Sequence, residues 1–373
     1  MDSIDKKHKF LNCYKKRGIP PPLPFSKLEP TTHTVMVYTN IQFDVPKIYW
    51  DVPIFKTDVK TLAKQDRKNF APYGAILCIQ SNTCIRGIVS RKKKKHWCTV
   101  CRQVKCNQDN EKEYNKGKKI KYITEIIKED IHIKNLYHIL YYCSFCDRIY
   151  HPRDIKKINH FPHQATIILS IGNKIPLNIM MFKDSLKIAG AKTLQDAMEG
   201  IHILWSEYIT KIPNSFTCPD KAEFLFSIEM MNFGFSLGFP MDRRALNDLM
   251  NDKYADIIAL SCIGTTSNPN VKIKFHVKKP KNFRYNCLVF DFYESEWTSK
   301  LVRKKENKYK KIKVQKDKYN TFIVFSSSET ILSGKYRQDL ENIYNIFIEL
   351  IYKNNLIQEI KRPDKCQLEA LLN

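Results

Sequence analysis

The sequence predicts an α+β protein made of two related halves, the first of which is interrupted by an insertion. Three observations support this prediction. A strand–turn–strand–helix pattern occurs late in each half, a strand-to-helix pattern occurs early in each half, and the two pairs of copies are unequally spaced. The chain has 373 residues, 43% of them hydrophobic, which is enough for more than one packed core.

The late pattern is the clearer of the two. Ile179 to Lys192 (IMMFKDSLKIAGAK) and Phe322 to Tyr336 (FIVFSSSETILSGKY) each contain an apolar strand, a polar turn, a second strand and a small residue next to Gly. Apolar residues then recur at i, i+3, i+4 and i+7, from Leu194 in the first copy and from Leu340 in the second. This spacing predicts an amphipathic helix after each pair of strands.

The early pattern leads from a strand into a helix. Val37 to Phe55 and Met230 to Met250 each contain an Asn, an alternating strand and a turn before a predicted helix. In the second copy Asp242 is expected to cap a helix from Arg243 to Met250, because its carboxylate can accept hydrogen bonds from the first N–H groups of the helix.

The spacing of the copies places an insertion in the first half. Asn40 and Asn232 are 192 residues apart, whereas Phe182 and Phe325 are 143 residues apart. The first half is therefore longer, and the excess falls between about residues 90 and 159, where two cysteine pairs lie.

These cysteine pairs predict a structural zinc site. Cys98 with Cys101 and Cys143 with Cys146 form two C-x-x-C hooks, which can bring four thiolates onto one tetrahedral Zn²⁺ and leave no coordination position open for catalysis. The alternative is four reduced cysteines buried in a packed lobe. The N-terminus has no signal-peptide pattern, so disulfides are not expected.

The charge of the chain favours a polyanionic partner. Sixty-three Lys and Arg stand against 38 Asp and Glu, which gives a formal net charge of +25. Nucleic acid is the expected partner, and the alternative is a Lys-rich composition with a solvated surface. No window reaches the roughly 18 to 20 apolar residues of a membrane span, so we expect an intracellular protein without a membrane partner.

The ordered pattern, found twice, resembles the half-repeat of TATA-box-binding proteins, and its spacing is closest to the diverged members carried by large DNA viruses. Asn40 and Asn232 match the Asn on the first strand of that family. Phe182 and Phe325 match its apolar-Phe step before a turn.

Later parts of the half-repeat extend the resemblance. Ala189 to Lys192 and Ser333 to Lys335 match the short strand that ends in Thr-Gly, and Asp339 to Leu350 is similar to the closing helix. Phe161 to Gly172 and Asn268 to Val277 are equivalent strands of the two halves. The resemblance covers roughly residues 35–90 and 160–355.

The resemblance implies a pseudo-twofold saddle, in which a curved antiparallel sheet carries helices on its convex face and binds AT-rich double-stranded DNA in the minor groove on its concave face. Asparagine amides would donate to adenine N3 and thymine O2, and phenylalanines would wedge between base steps. The residues that the resemblance implies in DNA binding are Asn40, Asn232, Phe182, Phe325, Phe161, Lys192 and Lys335.

Simpler alternatives exist for these residues. Each Asn can be a turn or strand-edge residue without a ligand, and Phe182 and Phe325 can be core residues on the helix side of the sheet. Ala189 in place of the family's Thr, and Asn268 in place of an aromatic wedge, depart from the pattern. These departures put kinking and a preference for TATA in question.

The expected domain limits follow from the repeat. Residues 1–33 are expected to be a flexible tail, 34–211 the first half-repeat and 212–358 the second, with a basic loop at about 300–320 and a C-terminal tail at 359–373.

The expected function is a transcription initiation factor that binds promoter DNA as a monomer and recruits basal transcription factors or RNA polymerase. The expected location is the nucleus or a viral factory in the host cytoplasm, with packaging in the virion as a further option. The alternative is a DNA-packaging or virion protein without sequence specificity. A zinc-dependent enzyme ranks last because no phosphate-binding loop or metalloenzyme motif is present, so no catalytic residue is predicted.

Overall fold

The computed structural model describes residues 23–56, 71–81, 85–94, 123–129, 137–143, 148–150, 164–172, 174–264, 270–278, 280, 283–303 and 319–353. For 85, 88–94, 123–129, 137–143, 148–150 and 352–353 only the backbone is described. Over these residues the protein is α+β, with a large antiparallel sheet and few helices, which confirms the predicted class.

Eighteen strands and four α-helices make up the described fold. The strands are β1 Pro30–Thr39, β2 Gln42–Phe43, β3 Ile76–Gln80, β4 Ile85–Lys94, β5 Ile123–Glu129, β6 Tyr137–Cys143, β7 Arg148–Tyr150, β8 Ala165–Leu169, β9 Leu177–Met181, β10 Ser185–Ala191, β11 Phe216–Thr217, β12 Lys221–Ser236, β13 Ile258–Ile263, β14 Asn270–His276, β15 Arg284–Asp291, β16 Glu296–Arg303, β17 Tyr319–Phe325 and β18 Glu329–Gly334. The helices are α1 Val45–Asp51, α2 Leu194–Ile203, α3 Arg243–Lys253 and α4 Arg337–Lys353.

Side-chain caps begin three of these helices. Asp44 accepts from the Lys47 N–H at the start of α1. Thr193 and Asp196 form a capping box at the start of α2. Asp242 accepts from two N–H groups at the start of α3, as the sequence predicts. No described helix is long and apolar enough to cross a membrane.

Contacts divide the chain into two compact units. The first-half unit contains the described residues of 34–227 and 284–303, and the second-half unit those of 23–33, 228–283 and 319–353. Strands β1 and β12 contribute residues to both units.

The second-half unit orders its strands β13-β14-β17-β18-β12, with antiparallel neighbours. Helices α3 and α4 cover one face, where Leu246 of α3 and Phe347 of α4 belong to the core. The Phe322 ring of β17 stacks on the Phe347 ring with 4.1 Å between their centres. The apolar spacing after Leu340 therefore forms the helix that the sequence predicts.

The first-half unit repeats this order of strands as β3-β8-β9-β10-β1. Apart from the additional strands, the chain in each repeat runs strand, helix, four strands, helix. The first strand of each repeat along the chain lies next to its last strand in the sheet. Gly200 of α2 lies against Leu177, Ile179 and Leu169, so α2 also covers one face of its sheet. The late and early patterns read from the sequence are both present as the predicted elements.

Extra strands interrupt both repeats. In the first-half unit β3 pairs with β8, while β4, β5, β6 and β7 continue the sheet beyond β3. The limits of the insertion at about 90–159 stay a prediction. In the second repeat the hairpin β15–β16 comes between β14 and β17 along the chain but not in the sheet. Strand β15 pairs instead with residues 221–226 of β12.

Two predicted segments need correction. In the predicted basic loop at about 300–320, residues 300–303 belong to β16 and 319–320 to β17, while 304–318 lie outside the described residues. In the predicted N-terminal tail, residues 23–33 are part of the fold: Phe25 is 2% exposed and lies against Phe233 and Tyr344 in the second-half core, and β1 begins at Pro30. The Tyr344 hydroxyl donates to the Leu23 carbonyl at 2.6 Å, and burial raises the pKa of Tyr344 to about 12. Residues 1–22 and 359–373 lie outside the described residues.

The two matched glycines of the repeat are needed for different reasons. Gly190 has a φ of +91°, which side chains with a Cβ rarely adopt. Gly334 leaves space for a neighbour, because a Cβ there would collide with Asn320 and would approach Leu340 Cδ2 to 2.6 Å.

Candidate nucleic-acid interface

The face of the second-half sheet opposite α3 and α4 is the candidate interface, and we call it the second-half open face. Along β12, β14 and β17, alternate residues are buried against the helices, so the residues between them belong to this face. Strand register arranges its residues in two rows. The rows are Asn232, Ser333, Thr321, Lys274, Leu260 and Gly234, Ile331, Ile323, Lys272, Cys262.

These rows combine apolar, hydroxyl, amide and ammonium groups. Leu260, on the edge strand β13, is 44% exposed, and Ile331, on the inner strand β18, is 36% exposed, and neighbouring exposed apolar side chains of this kind are typical of binding surfaces. Lys272 is exposed, and the Lys274 ammonium lies 5.2 Å from the centre of the Tyr319 ring. The surface is therefore both apolar and cationic, which suits a ligand with apolar walls and a negative rim.

The first-half unit has an equivalent surface, the first-half open face, on the side of its sheet away from α2. Its rows are Lys187, Met180, Thr166, Gln80 and Ala189, Asn178, Ile168, and the second row ends against Cys78, which is fully buried. The register places Thr166 and Ile168 where the second-half open face has Lys272 and Lys274. The second-half open face is therefore the more cationic of the two.

Phe182 and Phe325 occupy matching places on these open faces. Phe325 ends β17 and Phe182 directly follows β9, and each side chain is half-buried. Their neighbours Val324 and Met181 are fully buried on the helix side. Neither phenylalanine is among the fully buried core residues, and their role as wedges stays a prediction.

Asn40 has its amide engaged by the protein backbone. Its Nδ2 donates to the Lys221 carbonyl at 2.8 Å, and its Oδ1 accepts from the Glu223 N–H at 2.9 Å. These two bonds attach the end of β1 to the start of β12, as a further pair of strand residues would. These bonds use one of the two amide hydrogens and one acceptor position of Oδ1, which leaves less of the amide for bases, so a DNA contact by Asn40 stays a prediction.

Asn232 keeps more of its hydrogen-bonding groups available than Asn40 does. It lies in the first row of the second-half open face, is half-buried, and donates from Nδ2 to the Thr32 hydroxyl at 3.0 Å. The Thr31 hydroxyl donates to the Asn232 carbonyl at 3.0 Å, which anchors the backbone beside it. Its Oδ1 and its second amide hydrogen are not used by these bonds.

The two predicted lysines differ in placement. Lys192 is exposed, and its N–H donates to Asp196 at 3.1 Å at the start of α2. The side chain of Lys335 is only 10% exposed, and its ammonium lies 2.9 Å from Glu229 Oε1. Lys335 is therefore not an available phosphate contact, because an ammonium with so little exposure needs its carboxylate partner.

Several predicted residues cannot be placed. Phe161, Cys98, Cys101 and Cys146 lie outside the described residues, and Cys143 is described by its backbone alone, as the last residue of β6. Among the described side chains, no group of three or more His, Cys, Asp or Glu could hold a metal ion.

The place of the open-face lysines and their apolar neighbours in the candidate interface was not predicted from the sequence. Lys272 and Lys274 alternate with buried Val271, Ile273 and Phe275, and this two-residue period was visible in NVKIKFH. The strand was predicted, but which of its faces would be covered by helices was not.

A cavity of about 820 Å³ lies beside Lys183, which follows Phe182 in the turn after β9. Phe43, Tyr49 and Trp50 form part of its wall, and Asp44 is the one carboxylate among the side chains that line it. That carboxylate already caps α1, so it is engaged in the fold.

No model of a known protein family matches the chain, and a comparison with curated proteins finds no match either. The resemblance to TATA-box-binding proteins therefore stays a prediction that depends on the repeated pattern of the chain.

Proposed function

We propose that the protein binds AT-rich double-stranded DNA through the minor groove and acts as a transcription initiation factor resembling TATA-box-binding proteins. One observation carries the proposal: both units have the same order of five strands, and in each sheet the inner strands alternate between buried and more exposed residues. In the finer form of the proposal, the two sheets make the pseudo-twofold saddle, with helices on the convex side.

The chemistry of the open faces supports minor-groove binding. The minor groove of an A·T pair presents only the adenine N3 and thymine O2 acceptors beside apolar sugar walls. Apolar side chains such as Ile323 and Ile331 suit those walls, while Asn232 and Thr321 offer donors to the acceptors. Lys272 and Lys274 add phosphate contacts, which increase affinity without reading sequence.

Phe182 and Phe325 are the proposed wedges. Each lies at the turn between the fourth and fifth strands of its repeat, at the edge of an open face rather than in the core. Inserting a ring between base pairs costs roughly a few kcal/mol per step in lost stacking, which the larger contact area of bent DNA can offset.

A DNA-packaging or virion protein without sequence specificity is the second candidate. Two observations favour it: the Asn40 amide is used by the backbone, and the Lys335 ammonium is used by Glu229. Both reduce the number of groups that are available to read or hold DNA. The first candidate leads us to propose basal transcription factors or RNA polymerase as protein partners, in the nucleus or a viral factory.

We also propose a structural Zn²⁺ held by Cys98, Cys101, Cys143 and Cys146. Cys143 ends β6 and pairs with Arg148 of β7, so the second hook spans the connection of a hairpin. Lys94, at the end of β4, and Cys143 both pair with Ile123, which sets the two strand ends about 10 Å apart. The first hook begins four residues after Lys94 along the chain, so the nearness of the two strand ends supports a shared site.

Metal analysis tests the zinc site. The purified chain is expected to contain one Zn²⁺ per molecule, and Cys143→Ser/Cys146→Ser should abolish it. Cys218→Ser, which alters a cysteine of the described fold outside the hooks, is the matched control. Retention of zinc in the hook variant would exclude this ligand set.

A binding titration tests the DNA proposal. Fluorescence anisotropy with AT-rich and GC-rich duplexes of equal length, at low and high salt, should give tighter binding to the AT-rich duplex. Phe182→Ala/Phe325→Ala should reduce this preference, because the wedges favour flexible base steps. Tyr293→Ala removes an aromatic ring that is 91% exposed in the β15–β16 turn and serves as the control.

The two candidate functions give different results in that titration. A promoter factor keeps an AT preference at high salt and loses it in the double Phe variant. Equal affinity for both duplexes, with a steep salt dependence that the Phe variant does not change, would replace the first candidate by the packaging protein.

A further inference from the structure

A second cavity, of about 670 Å³, lies in the first-half unit between the end of α2 and the β15–β16 hairpin. Its volume is within the range of small-molecule and side-chain binding pockets. Aromatic rings form most of its wall, and three hydroxyl groups complete it. The lining residues are His202, Phe216, Phe290, Phe292, Trp297, Ser206, Thr210 and Ser295.

The aromatic wall is held by mutual contacts. The Trp297 ring lies 5.2 Å from the Phe290 ring and 5.1 Å from the His202 ring, measured between ring centres. Trp297 Nε1 donates to the Ser206 hydroxyl at 3.1 Å, which fixes the indole. Phe292 lies 5.3 Å from Phe290, edge to face. The rings are therefore already positioned around the cavity.

The turn end of the hairpin that carries this cavity is acidic, whereas Arg284, Lys300 and Arg303 lie towards its other end. Residues 285–299 contain Asp291, Glu294 and Glu296 and no Lys or Arg, in a chain with a net charge of +25. Ser295, which lines the cavity, stands between the two glutamates, and both of these are exposed. The local charge disfavours a phosphate and favours a cation.

Ion pairs with lysines leave part of this charge unmatched. Lys211 lies 2.7 Å from Glu207, and Lys221 lies 2.6 Å from Asp291. Each of these lysines is matched by a carboxylate, as Lys300 is by Glu223, so Glu294 and Glu296 leave the turn end of the hairpin net negative. The hydrogen bond from Lys221 lowers the pKa of Asp291, so this carboxylate stays ionised at neutral pH.

We propose that this cavity is a docking site for a lysine or arginine side chain from a basic segment of a protein partner. The faces of aromatic rings carry negative electrostatic potential and attract ammonium and guanidinium groups, and carboxylates at the rim strengthen this attraction. Charge complementarity selects the occupant, because the aromatic wall alone would accept any apolar group. The site is separate from the open faces and goes beyond the proposed binding of DNA.

Matched peptides test the proposal. The probes are a Gly-Ser peptide with lysines in its centre and the same peptide with norleucine, which has the side chain of lysine without its ammonium. Binding to the full chain is followed by tryptophan fluorescence and calorimetry. The lysine peptide should bind more tightly, and Trp297→Leu, which keeps an apolar wall without a ring face, should weaken its binding by about 3- to 30-fold.

Glu294→Gln/Glu296→Gln removes two charges from the exposed turn without altering the aromatic wall. It should weaken binding of the lysine peptide at low salt and leave the norleucine peptide unaffected. Tyr293→Ser, in the same turn, is the control and should change neither. Circular dichroism checks that each variant is folded.

Three results would overturn the proposal. Equal or tighter binding of the norleucine peptide would make the cavity a purely apolar site. Unchanged binding of the lysine peptide to the double Gln variant would remove the electrostatic argument. An oligothymidylate that displaces the lysine peptide from the wild-type chain, but does not bind the Trp297→Leu variant, would make the occupant a nucleobase instead.

Discussion

Replacing Lys272 and Lys274 together by Gln is expected to weaken DNA binding most at low salt. Both residues belong to β14 and lie two positions apart on the second-half open face, so their Cα atoms are about 7 Å apart. An ammonium that neutralises a phosphate releases counterions and contributes about 0.9 to the slope of log affinity against log salt. The double variant should therefore have a slope that is smaller by about 1.8. Between about 50 mM and about 200 mM salt, the ratio of wild-type to variant affinity should fall by about 12-fold.

Fluorescence anisotropy of a labelled AT-rich duplex over a salt series measures this slope. Lys211→Gln/Lys253→Gln is the matched control, since it removes the same charge from positions outside the open faces, after α2 and at the end of α3. The control should lower affinity only slightly and keep the wild-type slope. If both double variants change the slope equally, the effect is one of total charge, and the assignment of the open face as the binding surface is refuted.

Three further predictions concern stability, measured by urea and thermal unfolding. Gly334→Ala should destabilise the protein by about 1 to 3 kcal/mol through overpacking, whereas Gly234→Ala, whose Cβ would meet its nearest neighbour at 3.6 Å, should change stability by less than about 0.5 kcal/mol. Asp242→Ala should cost about 1 kcal/mol because α3 loses its N-cap; no loss would contradict this role. Burial acts to raise the pKa of Asp196, but hydrogen bonds from Lys174 and the α2 N-cap outweigh it, so the pKa is lowered from 3.8. The stability that Asp196→Asn removes should therefore be constant near neutral pH and vanish as pH falls below about 4; a loss that grows towards acid would contradict the lowered pKa.

The repeated strands and helices could be predicted from the sequence because each depends on the spacing of residues that are close together along the chain. The helix after Leu340 and the cap at Asp242 depend on spacings of a few residues, and both are present. The hairpin β15–β16 was missed because its basic continuation suggested a loop, although NCLVFD and EWTSKLV alternate weakly. Its partner on β12 lies about 65 residues away along the chain, and such distant pairing leaves no local mark.

The candidate site was predicted less completely than the fold. Phe182 and Phe325 are half-buried at matching places at the ends of alternating strands, and their contact with DNA stays a prediction. The engagement of Asn40 with Lys221 and Glu223, and of Lys335 with Glu229, joins residues more than 100 positions apart. Such pairings depend on strand register between distant segments, which composition and periodicity do not encode.

The most direct test of minor-groove binding uses three duplexes of the same length, with A·T, G·C or inosine·C pairs at the centre. The 2-amino group of guanine is the donor that distinguishes G·C from A·T in the minor groove, and inosine lacks it while it keeps the major-groove acceptors of guanine. The account predicts that the inosine·C duplex binds as tightly as the A·T duplex and more tightly than the G·C duplex. Binding of the inosine·C duplex at the level of the G·C duplex would contradict it.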